Sequence, residues 1–227
     1  MSPSEINETK NNGELNDLTK LTNKEAQQLK LENAVEKTTN IQNEAQEGLD
    51  KEKKTYTNSK SGLIFNLYDQ AKYGKKLAAT WCMLTSAACV SSAIDKSLTP
   101  VSYYKKYPHG FVYDSIPKMT NNKLQSKVLL PGEKNKWTES QVKQAQIEIE
   151  KNLEKWYPAI FMVRGRGRGW KNKHVPWQHY MAAVDIRENW EKKEVFIANT
   201  DNNRWGGWVS ADEIFVSMKQ ASIYTPA

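Results

Sequence analysis

Cysteine and histidine are scarce in this 227-residue chain, two of one and three of the other, so each is worth placing. Cys82 stands near the start of T-W-C-M-L-T-S-A-A-C-V-S-S-A-I-D, residues 80–95, whose small, apolar and hydroxyl side chains suit a buried helix. A thiol in the first turn of a helix faces backbone N–H groups and the positive end of the helix dipole, and both favour the nucleophilic thiolate. Such a nucleophile needs an imidazole beside it. His179 opens a strand-like run, H-Y-M-A-A-V-D-I, and is the histidine best placed to be carried there by a sheet. The chemistry these two residues can do is attack on an acyl carbon with proton transfer to the leaving group. A buried structural cysteine is the competing reading.

The elements that must position them follow in order. The Cys82 helix is expected to end near Asp95, with Pro100 as its stop. Residues 101–135 read as loops and short helices around a cleft. Thr138 opens a second helix, because T-E-S-Q has the form of a capping box and Val142, Ala145, Ile149, Leu153 and Trp156 recur at helical spacing. Pro158 ends it, and A-I-F-M-V is a short apolar strand. The basic loop R-G-R-G-R-G-W-K-N-K-H-V-P-W-Q then leads to the His179 strand, a further strand E-V-F-I-A-N, and G-G-W-V-S before the closing A-D-E-I-F-V-S-M. Helices first, then strands joined by short connections, predict an α+β domain with an antiparallel sheet.

These motifs resemble those of the papain-like cysteine peptidases, and are most similar to the bacterial branch of double-glycine leader peptidases that process bacteriocins. That branch opens its catalytic helix with a motif like C-G-P-T-S-A-A-M-V, against C-M-L-T-S-A-A-C-V from Cys82 to Val90 here. Met83 and Leu84 stand where the branch has Gly-Pro. Y-P-A-I-F-M-V followed by Q-H-Y-M-A-A-V-D-I matches the family's strand, loop and histidine strand, and V-F-I-A-N-T-D-N-N-R-W-G-G-W its third motif. The resemblance spans residues 63–216. It implies a papain-like fold, Cys82 as nucleophile, His179 as base, and Asn199 or Asp201 as the group that orients the imidazole. Asn199 sits at the strand end, as in papain-like enzymes; Asp201 corresponds to the acid of the leader-peptidase branch. Both also suit a plain turn.

The family's oxyanion-stabilising Gln precedes the cysteine by a few residues. Lys76 occupies that spacing, and Gln70, twelve residues ahead of Cys82, is the nearby substitute; the Cys82 backbone N–H contributes in either case. Trp81, Trp177, Trp205 and Trp208 flank the motifs, and the first three are candidates to line a substrate cleft, with core packing as the alternative. His109 and His174 read as loop residues. No C-x-x-C or H-x-x-x-H spacing supports a metal site, and no cofactor is expected. The Arg-Gly loop is read as gating the cleft or holding an acidic group of the substrate, with nucleic acid the lesser candidate.

All Trp, Phe and Tyr residues lie at Tyr56 or later, so residues 1–60 cannot build a core and are expected to be a polar helical or disordered extension. Within it, residues 23–54 are helix-forming with a sparse apolar stripe, and Thr55–Ser61 reads as a hinge into a domain over residues 61–227. The extension holds nine lysines against eleven acidic residues, a net of −2, which leaves +9 on the domain out of the chain's +7. A basic domain suits an acidic surface or polymer. The expected substrate is a peptide or the peptide part of peptidoglycan. Cys82 and Cys89 lie about 10 Å apart along one helix, too far for a disulfide. The opening M-S-P-S-E-I-N-E-T-K lacks a signal peptide's apolar segment and no run is long enough to span a membrane, so the expectation is synthesis in the cytoplasm with delivery to the wall or outside by another route.

Overall fold

The structure is a computed structural model that describes residues 26–37, 39–40, 43, 54–70, 81–107, 114–132, 137–164, 178–198, 206–216 and 218–227. It divides into two units, Met1–Asn43 and Glu44–Ala227. The first contains a helix over 26–37 on which Leu29, Leu31 and Val35 are each about 60 % exposed. Among the described residues no helix is long and apolar enough to cross a membrane.

The second unit is mixed α+β. A hairpin of β1 (Lys54–Thr57) and β2 (Ile64–Leu67) precedes three helices, α1 (Cys82–Ser92), α2 (Pro100–Lys106) and α3 (Ser115–Met119). The strands β3 (Leu124–Leu130), β4 (Ala159–Arg164), β5 (Gln178–Asn189), β6 (Lys192–Ala198), β7 (Gly206–Ser210) and β8 (Met218–Pro226) form one antiparallel sheet in the order β3-β8-β4-β5-β6-β7. Helices α4 (Glu139–Glu154) and α5 (Ala211–Phe215) complete it. Only β4 to β7 meander as the sequence suggests. β8 crosses back to lie between β3 and β4, and β3 falls in a stretch read as loops and short helices.

Both faces of the sheet are covered. On one, Ala159, Phe161, Val163, Met181 and Ala183 join Ala145, Ile149 and Leu153 of α4 and Ile214 and Phe215 of α5 in one apolar cluster. The alternate residues Ile160, Met162, Ala182 and Val184 are also buried. Helix α1 packs on β5 and β4 and contributes no residue to the first cluster, so it covers this second face.

Local chemistry sets the helix ends. Thr138 and Gln141 form the expected capping box of α4. The helix stops at Glu154; Trp156 lies past its C-cap in a left-handed conformation, φ 68°, and is 41 % exposed, so the apolar stripe ends at Leu153 instead. Asn152 fixes the exit by donating to the carbonyls of Tyr157 and Pro158 at 3.0 and 3.1 Å. Pro100 does not merely stop α1, which has already ended at Ser92. It opens α2 behind the capping box of Thr99 and Ser102, a position where a missing N–H costs nothing.

Residues 54–57 form a strand where the sequence suggests a hinge. Tyr56 gives the reason. Its ring stacks on Phe196 at 3.8 Å, and its hydroxyl donates to Asp185 Oδ2 at 2.6 Å. Asn58, fully buried, donates to the Val184 carbonyl at 3.3 Å and accepts from the Lys60 and Ser61 amides. The hairpin is thereby latched to the middle of β5. Burial first, then the hydrogen bond and charge of Asp185, holds the Tyr56 phenol well above its ordinary range. A folded-state pKa raised in this way contributes stability that is complete below about pH 10 and is lost as pH rises further. Tyr56→Phe is expected to cost about 1–3 kcal/mol, read as a lower urea midpoint, and to shed part of the wild type's loss of stability above about pH 10.

Candidate active site

Cys82 is the first residue of α1 and is 9 % exposed. Ahead of it Trp81 takes the N-cap position with no side-chain cap hydrogen bond; its indole is a donor and has no acceptor to offer the amides of the first turn. Inside the helix, hydroxyls are satisfied by the preceding turn. Thr85 donates to the Trp81 and Cys82 carbonyls at 3.0 Å, Ser86 to Cys82 at 2.8 Å and Ser92 to Cys89 at 2.6 Å. That back-bonding lets polar residues sit in a helix with almost no solvent-facing side.

The direction of α1 is fixed at its far end. Ser92 Oγ accepts from the Asn66 amide in β2, and the same hairpin is tied through Tyr56 and Asn58 to Val184 and Asp185. From Ser92 back to Cys82 the helix rises about 15 Å. From Val184 back to His179 the strand covers about 17 Å. α1 packs on β5, and the hairpin ties its last residue to the middle of that strand, so Cys82 and His179 each open an element whose later part meets the same hairpin.

His179 is the second residue of β5, lies opposite Val163 and is 2 % exposed. Strict pleating gives it the same side as Met181 and Ala183, the side covered by α4, and gives Tyr180 the α1 side together with Ala182. The Tyr180 hydroxyl donates to Gln220 Oε1 on β8, two strands away through β4. Tyr180 was not among the residues singled out from sequence, although the alternation in H-Y-M-A-A-V carries the signal. β6 ends at Ala198, paired with Ala182, so the chain leaves that strand within a few residues of His179. Asn199, Asp201, Trp177 and Trp205 themselves lie outside the described residues, as do His109 and His174.

Gln70 is 4 % exposed, and its Oε1 has no hydrogen-bond partner among the described residues. The ten residues linking it to Trp81 are not described. Trp81 is 2 % exposed, with its ring centroid 5.1 Å from that of Tyr104, so the indole packs against α2 at the base of α1. Trp208 lies on β7 level with the middle of β5, edge-on to Phe196 with Arg187 over its ring at 4.1 Å. No three His, Cys, Asp or Glu side chains converge as metal ligands among the described residues.

Cys89 is fully buried two turns along α1, and burial pushes its thiol up to about 12. It is chemically silent at neutral pH and unsuited to nucleophilic work. Comparison with protein-family models finds no matching family, and comparison with curated proteins finds no significant match. The two thiols should therefore differ sharply. Native protein is expected to leave Cys89 unlabelled by iodoacetamide up to about pH 9, with peptide mapping finding the label there only after unfolding; labelling of Cys89 in the native state would contradict the burial described.

Proposed function

We propose that the second unit is a thiol hydrolase of papain-like type that cleaves a peptide or amide bond, with Cys82 as nucleophile and His179 as base. The observation that supports this reading is a cysteine at the first residue of α1 and a buried histidine at the second residue of β5, with α1 packed on β5. Cys82 Sγ, having lost its proton to the imidazole, attacks the carbonyl carbon. The C–N bond then breaks as the imidazolium protonates the leaving amine, and water hydrolyses the thioester with the imidazole again as base. The Cys82 backbone N–H and Gln70 are the proposed oxyanion donors. Asn199, or Asp201 in its place, is the proposed partner of the far imidazole nitrogen.

The basic charge of residues 61–227 favours a substrate presented on an acidic polymer, and peptide crosslinks of peptidoglycan are the proposed class. A second reading, a binding module that keeps the fold without the reaction, is favoured by the strict pleating of His179 towards α4 and by Met83-Leu84 in place of Gly-Pro.

Alkylation kinetics separate the two. In a Cys89→Ala background, Cys82 is expected to react with iodoacetamide at its full rate below pH 7, and His179→Ala to shift that reactivity to the ordinary thiol range near about 8.5. A profile near that ordinary value, unchanged by His179→Ala, would establish the binding-module reading. On purified sacculi, release of soluble fragments by wild type is expected to fall to background in Cys82→Ala; equal release by both removes the peptidase.

A further inference from the structure

The opposite end of β5 carries a feature that the proposed hydrolysis does not use. β5 and β6 are joined by the two-residue turn Trp190-Glu191, flanked by the pair Asn189 and Lys192. Trp190 adopts φ 56°, a left-handed conformation that this kind of turn reserves for glycine, asparagine or aspartate. Its side chain is 95 % exposed. A large apolar ring held in water on a strained backbone opposes stability twice over, and such an outlier points to work done by the side chain.

Beside it lies an open cleft of about 560 Å³ lined by Asn189, Trp190, Glu191, Lys192, Glu194 and Ser210. One wall is built in advance. Glu194 Oε2 accepts from Arg187 Nε and Nη2 at 2.9 and 2.8 Å, and that guanidinium in turn stacks over Trp208 at 4.1 Å. The Arg187 and Asn189 hydrogen bonds hold the Glu194 carboxyl below its usual range, so it stands as a fixed acceptor.

We propose that this cleft binds a sugar unit of an uncharged or weakly charged polysaccharide, with the Trp190 indole stacked on the pyranose ring. The face of an indole is electron-rich and meets the C–H face of a pyranose, while the amide, hydroxyl, amine and carboxylate groups around it supply the mixed donors and acceptors that sugar hydroxyls require. The openness of the cleft suits one unit of a long chain. Its two carboxylates are matched by Lys192 and by the Arg187 guanidinium held on Glu194, so on a domain of net charge +9 the cleft is close to neutral and offers no cluster of cations to nucleic acid, teichoic phosphates or anionic bilayers. Trp190 lies about 35 Å along β5 from His179, so this site anchors without contacting the reacting groups.

Co-sedimentation of the full chain with insoluble peptidoglycan, chitin and cellulose tests it. Wild type is expected to be retained by at least one of the three, and Trp190→Ala to weaken the apparent Kd at least tenfold. Trp190→Gly is expected to lose the same binding with a Tm no lower than wild type, because glycine accepts the turn and no packing is removed. Cys82→Ala should bind as wild type does, which keeps this proposal separable from the proposed hydrolysis. Absence of retention on all three polymers, or retention indifferent to Trp190→Ala, would overturn the site. Sedimentation with phosphatidylglycerol vesicles that depends on Trp190 would reassign the ring to a lipid surface and likewise overturn it.

Discussion

Helix α1 is buried on ten of its eleven residues, and a helix with no solvent face has nowhere to put a long side chain. Alanine, serine, threonine and cysteine solve the steric problem and create an electrostatic one, since every hydroxyl must find an acceptor away from water. The preceding turn of the same helix provides it for Thr85, Ser86 and Ser92, while Ser91 meets the Tyr103 hydroxyl at 2.5 Å. The helix can then be clasped between the sheet on one side and β2, α2 and α3 on the others. A cysteine at its start inherits its orientation from a helix packed on several sides.

The second anchor is the hairpin. A two-stranded ribbon is marginal alone, and this one is stabilised by what it grips: Phe196 and Asp185 through Tyr56, Val184 through Asn58, Ser92 through the Asn66 amide. It joins the end of α1 to the midpoint of β5. Without that tie the register of helix against strand would rest on small, nearly featureless side chains, which specify sliding contacts poorly.

How far the sequence is legible follows from the range of each interaction. The capping box of Thr138 and Gln141, the course of α1 and the pairing of β4 with β5 are local patterns, and they are read correctly from a few neighbouring residues. Pro100 is ambiguous because the same ring that cannot continue a helix is well suited to starting one. β3 and β8 carry little signal of their own. Gln125, Lys127 and Val128 are exposed on β3, and β8 mixes Lys219, Gln220 and Ser222 with apolar residues; the two strands pair with each other across roughly one hundred residues of sequence. The strand at Lys54–Thr57 is invisible for the same reason: Tyr56 finds its partner 129 residues away. Of the candidate site, the ends of α1 and β5 were legible from motif order, whereas the side of the strand on which His179 stands depends on pleating that only the paired sheet defines.

The placement of β8 has a consequence for how the molecule comes into being. During synthesis the meander from β4 to β7 can pair as it emerges, but β3 must wait alone, because the strand that separates it from β4 is made after all the others. Until residues 218–226 insert, the sheet beneath α1 is a fragment with an open edge at β4, and closing it requires contacts of long sequence separation that form slowly. A nascent chain therefore carries α1 on an unfinished floor until the final strand has been made.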